Sequence, residues 1–110
     1  MKRASDSLQG SLPLLVLKIL ARRGPLHGYG ITTHIEEMSD DLLRVEEGSL
    51  YPALHRMEEA GWIAAKWVIT ENNRRARLYE IGVAGRKQLK HEEDRWCSVA
   101  AAINHVLQRA

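Results

Sequence analysis

The sequence predicts a mostly α-helical fold that carries one β-hairpin and ends in a long helix. Three observations predict it. Apolar residues recur at helical spacing in three successive segments before residue 61. Two β-favouring runs then flank a turn containing two asparagines. From Val83 onward the helical period returns and holds nearly to the end of the chain.

Residues 1–10 are polar, close on Gly10, and read as a flexible N-terminal arm. Ser11 suits an N-cap, and Pro13 then falls in the first turn of a helix over about 12–22, where its missing N–H costs nothing. Leu12, Leu15, Val16, Ile19 and Leu20 form its core face. Arg22 and Arg23 suit the negative end of the helix dipole, and Gly24-Pro25 ends the helix. A second helix is expected over 28–38, with Tyr29, Ile31, Ile35 and Met38 on its apolar side. Ser39-Asp40-Asp41 break it, and Leu42–Val45 are expected as a short strand.

A third helix begins between Glu46 and Ser49 and runs to Ala60, with Gly61 following it. Pro52 restricts where it can start, because an interior proline loses a backbone hydrogen bond. Leu50, Leu54 and Met57 lie on one stripe, and Tyr51, Pro52, His55, Arg56 and Glu59 on the opposite one. Strands follow over 62–69 and 77–81, joined through Thr70–Arg75, where the asparagines tolerate a tight hairpin turn. The last helix, from Val83 to about Arg109, would be about 40 Å long at 1.5 Å per residue. Its stripe of Leu89, Trp96, Val99, Ala100, Ile103, Val106 and Leu107 outruns a domain of this size and calls for a partner helix from a second copy of the chain.

The order helix, helix, helix, strand, strand, helix is that of a winged helix-turn-helix with a long C-terminal dimerisation helix. Residues 11–82 would form the winged-helix domain and 83–110 the dimerisation helix. At 110 residues the chain is one domain by length. Its net charge of +2 identifies no polyanionic partner, so the placement of charge has to. Ser49, Tyr51, His55 and Arg56 line the exposed side of a helix that fits a DNA major groove. Arg74, Arg75 and Arg77 crowd the hairpin, which suits phosphate contacts or a minor groove. Against this stand the acidic residues Glu36, Glu37, Asp40, Asp41, Glu46 and Glu47, which favour a winged-helix protein-interaction module; a ligand sensor without DNA binding is the further alternative.

Other chemistries find no residues. No phosphate-binding glycine loop, Ser–His–acid set or nucleophile elbow is present, so an enzyme is not expected. The five histidines have no helical zinc spacing, and Cys97 is the only cysteine, so no metal or cofactor is expected. The longest apolar run, 12–17, is far too short for a membrane span, and a cytoplasmic location is expected.

Leu26-His27-Gly28-Tyr29-Gly30 and the run from Gly48-Ser49-Leu50-Tyr51-Pro52-Ala53-Leu54 to Glu58 resemble the two signature stretches of PadR-type regulators. Gly61-Trp62-Ile63, Tyr79 and Ala84-Gly85-Arg86 also match, so the resemblance covers about residues 8–107. The single C-terminal helix is similar to that of the compact branch of the family. The resemblance implies a homodimer that represses transcription from a palindromic operator and is released by a signal, often a small aromatic molecule. It places Tyr29, Ser49, Tyr51, Pro52, His55 and Arg56 at the DNA-facing surface, and Asn73, Arg74 and Arg75 in the wing. The chain departs from the family pattern in having Glu46-Glu47 in place of Ser-Pro, Asn73 in place of glycine, and Gly82 in place of a capping threonine. Trp96, on the proposed pairing helix, is a candidate to line a flat pocket for an aromatic effector.

Overall fold

The computed structural model describes residues 10–110; the expected arm over residues 1–9 lies outside the described residues. The elements are α1 (Leu12–Arg23), β1 (Leu26–His27), α2 (Gly28–Met38), α3 (Glu47–Glu59), β2 (Ile63–Ile69), β3 (Arg75–Ile81) and α4 (Val83–Arg109). Four helices and a three-stranded antiparallel sheet in the order β1-β3-β2 make a winged helix with a long C-terminal helix.

The core lies where α1, α2 and α3 meet the sheet. Val16, Leu17, Leu20, Ile31, Leu50, Leu54 and Met57 are almost wholly removed from water. At about 25 cal/mol per Å² of buried apolar surface, residues of this kind supply most of the driving force for folding. The helical period located this face, but Leu17 and Ala53 belong to it as well. Tyr29 and Met38 do not. Tyr29 is 81% exposed, because it stands in the first turn of α2 on the side facing away from α1.

The segment Leu42–Val45 is not a strand. Asp40 and Asp41 take consecutive left-handed conformations, with φ of 54° and 62°. Short polar side chains tolerate that region. The Ser39 hydroxyl accepts from the Leu43 N–H at 3.0 Å, and the Glu36 carboxylate accepts from the Val45 N–H at 3.4 Å. These local bonds hold the backbone in a folded turn, which seats Leu43 and Val45 on the core. Three members of the acidic run, Glu36, Asp40 and Asp41, thus shape the α2–α3 connection, and Glu47 lies in the first turn of α3, where it complements the dipole.

The sheet adds a strand that the sequence did not announce. β1 is two residues long and pairs Leu26 with Tyr79 and His27 with Leu78. Two residues carry no period, so nothing in the pattern distinguishes them from a loop. β3 begins at Arg75, earlier than expected, because the hairpin closes tightly. Thr70 and Arg74 bond to each other, and Asn73 supplies the positive φ of 58°.

Gly85 lets α4 approach the sheet. A Cβ there would lie 2.1 Å from the Trp62 carbonyl oxygen and 2.8 Å from Ile81. From that point α4 packs along α1, with Leu89 in the core and Lys18 paired to Glu93 at 2.9 Å. Leu89, expected at the dimer interface, therefore lies in the core of its own chain. Beyond Val99 the helix runs past the start of α1, and Trp96, Val99, Ile103, Val106 and Leu107 stand exposed. No helix among the described residues is long and apolar enough to cross a membrane.

Candidate nucleic-acid interface

α3 starts at Glu47, so Pro52 sits in its second turn. The proline cannot donate to the Gly48 carbonyl, a loss made tolerable by exposure of both residues to water. Leu50, Ala53, Leu54 and Met57 bury one side of α3. That packing turns Tyr51, Pro52, His55, Arg56 and Glu59 outward as one continuous face, with Ser49 half-buried at its start.

The structure brings several of these residues together and separates others. Tyr51 leans on the first turn of α2. A Cβ at Gly28 would come within 3.0 Å of its hydroxyl, so Gly28 is what admits the ring. Tyr29 projects beside it, and His55, one turn further along α3, pairs with Glu59 at 2.6 Å. Across from them stands the inner face of the sheet. Together they enclose an open groove of about 490 Å³ lined by His27, Tyr29, Tyr51, His55, Trp67 and Arg75, among others. Ser49, Pro52 and Arg56 lie apart from the groove, around a shallow depression of about 150 Å³ shared with Leu12 and Gly48. Asn73 and Arg74 are exposed at the hairpin tip.

Arg77 departs from the sequence reading, which grouped it with the free charges of the hairpin. Its guanidinium donates to Glu58 of α3 at 3.0 Å and stacks near the rings of Trp67 and Tyr79. Arg77 is thus a strut that fixes the distance between α3 and the sheet, and Glu58 neutralises its charge. The Arg77 carbonyl accepts from His27 Nδ1 at 2.8 Å when that nitrogen carries the proton, which secures β1 to the same strand. Beneath the strut, burial raises the hydroxyl pKa of Tyr79 above the ordinary tyrosine value, and the Arg77 charge partly opposes the shift.

Sequence reasoning missed Trp67, Glu58 and His27. The register places Trp67 opposite Arg77, and strand alternation puts it on the same face as Ile63 and Ala65. Alternation could have told its face. It could not tell that the core ends at Ala65 and leaves Trp67 more than half exposed.

The groove therefore has hydroxyl, imidazole and guanidinium donors along its walls. Its one carboxylate among the lining residues, that of Glu58, is engaged by Arg77. This chemistry suits a polyanion.

Comparison with known proteins agrees with this architecture. Residues 16–91 match the model of the transcriptional regulator PadR-like family. A transcriptional regulator from Clostridium thermocellum superposes with a TM-score of 0.83 at 30% identity, over 92% of this chain and 97% of that one. A PadR-like transcriptional regulator from Bacillus cereus gives 0.78 at 27% identity, over 96% of this chain and 100% of that one. An uncharacterized 37.1 kDa protein in transposon TN4556 of Streptomyces fradiae is 42% identical over 81 residues; these are 72% of this chain but only 21% of the transposon protein. With the family model covering well over half of the chain, and with helices, sheet and C-terminal helix all in place, this protein belongs to the PadR-like family of transcriptional regulators.

Proposed function

We propose that this regulator is a repressor that binds a palindromic operator as a homodimer, reading sequence with residues 48–60 and holding backbone with the wing over 70–77. The single observation that carries the reading is the open groove between the outward face of α3 and the basic hairpin. A helix and a hairpin on either side of such a groove can straddle one strand of a duplex. In this reading Ser49, Tyr51, Pro52, His55 and Arg56 approach the major groove, with Glu59 orienting His55. Tyr29, Asn73, Arg74 and Arg75 meet the backbone.

Dimerisation is supported by the exposed stripe of Trp96, Val99, Ile103, Val106 and Leu107, with Ala100 half-buried among them. An apolar seam of this length on a helix that has left its own domain matches the need of a partner helix. Residues 11–82 then act as the DNA-binding unit and 83–110 as the pairing helix. Two recognition helices about 34–36 Å apart would enter successive major grooves.

A second groove, of about 250 Å³, runs between the start of α1 and α4, where Leu14, Trp96 and Val99 form an apolar wall and Glu92 and Arg95 a polar rim. It opens onto the proposed pairing face. A small planar aromatic molecule stacked on Trp96 would be an effector that alters the separation of the recognition helices, acting through different affinity for the two separations.

Fluorescence anisotropy with labelled duplexes from the DNA flanking the protein's own gene tests the core of this reading. Tight binding to one segment, with two-fold symmetric protection and an affinity that falls steeply with salt, is expected. Arg74→Ala with Arg75→Ala should weaken binding on all sequences and flatten the salt dependence. Equal, salt-insensitive binding to every segment, or none, overturns it.

A further inference from the structure

Two arginines share one face of β3, and the structure treats them differently. Arg77 has a carboxylate partner, Glu58 at 3.0 Å, which cancels its charge although its guanidinium also lies 5.5 Å from the centre of the Trp67 ring. Arg75 has none among the described residues; its guanidinium lies 4.9 Å from the centre of the Trp67 ring. Trp67 itself is 57% exposed, on the wall of the groove between α3 and the wing. A large exposed ring facing a groove gains little from burial. As a platform for a cation it has a specific use.

The chemistry of the two partners explains the distinction. A carboxylate holds a guanidinium by its N–H edge and cancels its charge. An aromatic face holds the same group by its flat side. The positive charge persists, and the N–H donors stay at the rim. A long arginine side chain ordinarily loses much rotamer entropy on binding, and stacking lowers that loss in advance. We infer that Trp67 is a positioning residue for DNA binding: its indole holds the Arg75 guanidinium, charged and with its donors free, over the groove so that it takes a backbone phosphate. Arg74, at the hairpin tip with no ring beneath it among the described residues, contacts DNA without this help. The inference rests on the DNA-binding reading above and adds to it a residue that does not itself read or neutralise DNA.

The test uses the full chain and a mixed-sequence duplex of about 30 base pairs, enough for two half-sites one helical turn apart. Affinity is measured between about 50 and 200 mM salt, a range over which each phosphate contact accounts for about a 3.5-fold fall. Arg75→Gln should make the fall about 3.5-fold smaller per subunit and about 12-fold smaller per dimer. Trp67→Leu should weaken binding by an amount comparable to Arg75→Gln, and Trp67→Phe should restore most of it. In the Arg75→Gln background Trp67→Leu should add nothing, whereas in the Arg74→Gln background it should add its full effect. Uniform fluorotryptophan labelling provides a second measurement that leaves packing intact. It weakens the ring's attraction for cations, and should lower the affinity of the unaltered protein but not of Arg75→Gln.

Salt-dependent binding that Arg75→Gln weakens and Trp67→Leu leaves alone overturns the positioning role while the proposed function stands. So does a loss from Trp67→Leu that persists undiminished without Arg75. Failure of the unaltered protein to bind duplex at the lowest salt overturns the function and this inference with it.

Discussion

Replacing Gly85 by alanine sets two effects of opposite sign against each other, and the structure decides between them. Alanine is the better helix former by about 1 kcal/mol, so at an open helical position the change stabilises. At Gly85 the new Cβ would lie 2.1 Å from the Trp62 carbonyl oxygen and 2.8 Å from Ile81. The first of these atoms is backbone, and it also accepts the Gly82 N–H at 3.0 Å. It cannot swing aside as a side-chain tip can, so α4 must shift from the sheet by most of an ångström. Overpacking of this kind costs about 1–3 kcal/mol, and a backbone clash belongs at the upper end. The net expectation is a loss of about 2 kcal/mol, or a melting temperature lower by about 10 °C for a chain of this size. Differential scanning calorimetry at fixed protein concentration measures it, since a dimer melts in a concentration-dependent way. Gly48→Ala is the internal control. Nothing lies within 4 Å of its Cβ, so it should leave stability unchanged or raise it by up to about 1 kcal/mol. If Gly85→Ala melts at or above the unaltered protein, the close approach of α4 to the sheet is not what requires glycine there.

Three further expectations follow from the same geometry. Ile103→Glu places a charge in the exposed apolar stripe of α4 and should raise the dimer dissociation constant by more than about 100-fold, equivalent to about 2.7 kcal/mol; sedimentation velocity showing an unchanged dimer would remove this stripe from the interface. A planar aromatic titrated into the protein should quench tryptophan emission, and Trp96→Ala should abolish the quenching although Trp62 and Trp67 remain; quenching retained in that variant would place the ligand elsewhere. Burial raises the Tyr79 pKa, so the fold disfavours its phenolate. Its contribution to stability is complete below the unfolded value near 10.0 and is lost as pH climbs through the higher folded value, so Tyr79→Phe should melt with a shallower alkaline decline. An identical decline in both proteins would contradict it.

The helical segments, the hairpin and the long terminal helix could all be read from the chain. In each the apolar period runs over many residues, and glycine or asparagine marks the ends. Asn73 shows how local such information is: a short polar residue that accepts positive φ suffices to place the turn. The outward face of α3 was legible because it is the complement of a buried stripe. Leu42–Val45 misled for the converse reason. A short, largely apolar run ending in Val45 is compatible with a strand, but two left-handed aspartates and the Ser39 hydroxyl outside the segment bend it.

The sequence by itself determined the order of the four helices and the hairpin, the family and which side of α3 faces away from the core, since each follows from residues close together along the chain. Only the tertiary structure decided that β1 exists, that Leu89 lies in its own domain's core, and that Arg77 is tied to Glu58 while Arg75 rests on Trp67. Those outcomes depend on groups distant along the chain meeting in space, as Lys18 meets Glu93 and His27 meets Arg77, and no periodic pattern records which of two similar arginines beside one ring also meets a carboxylate.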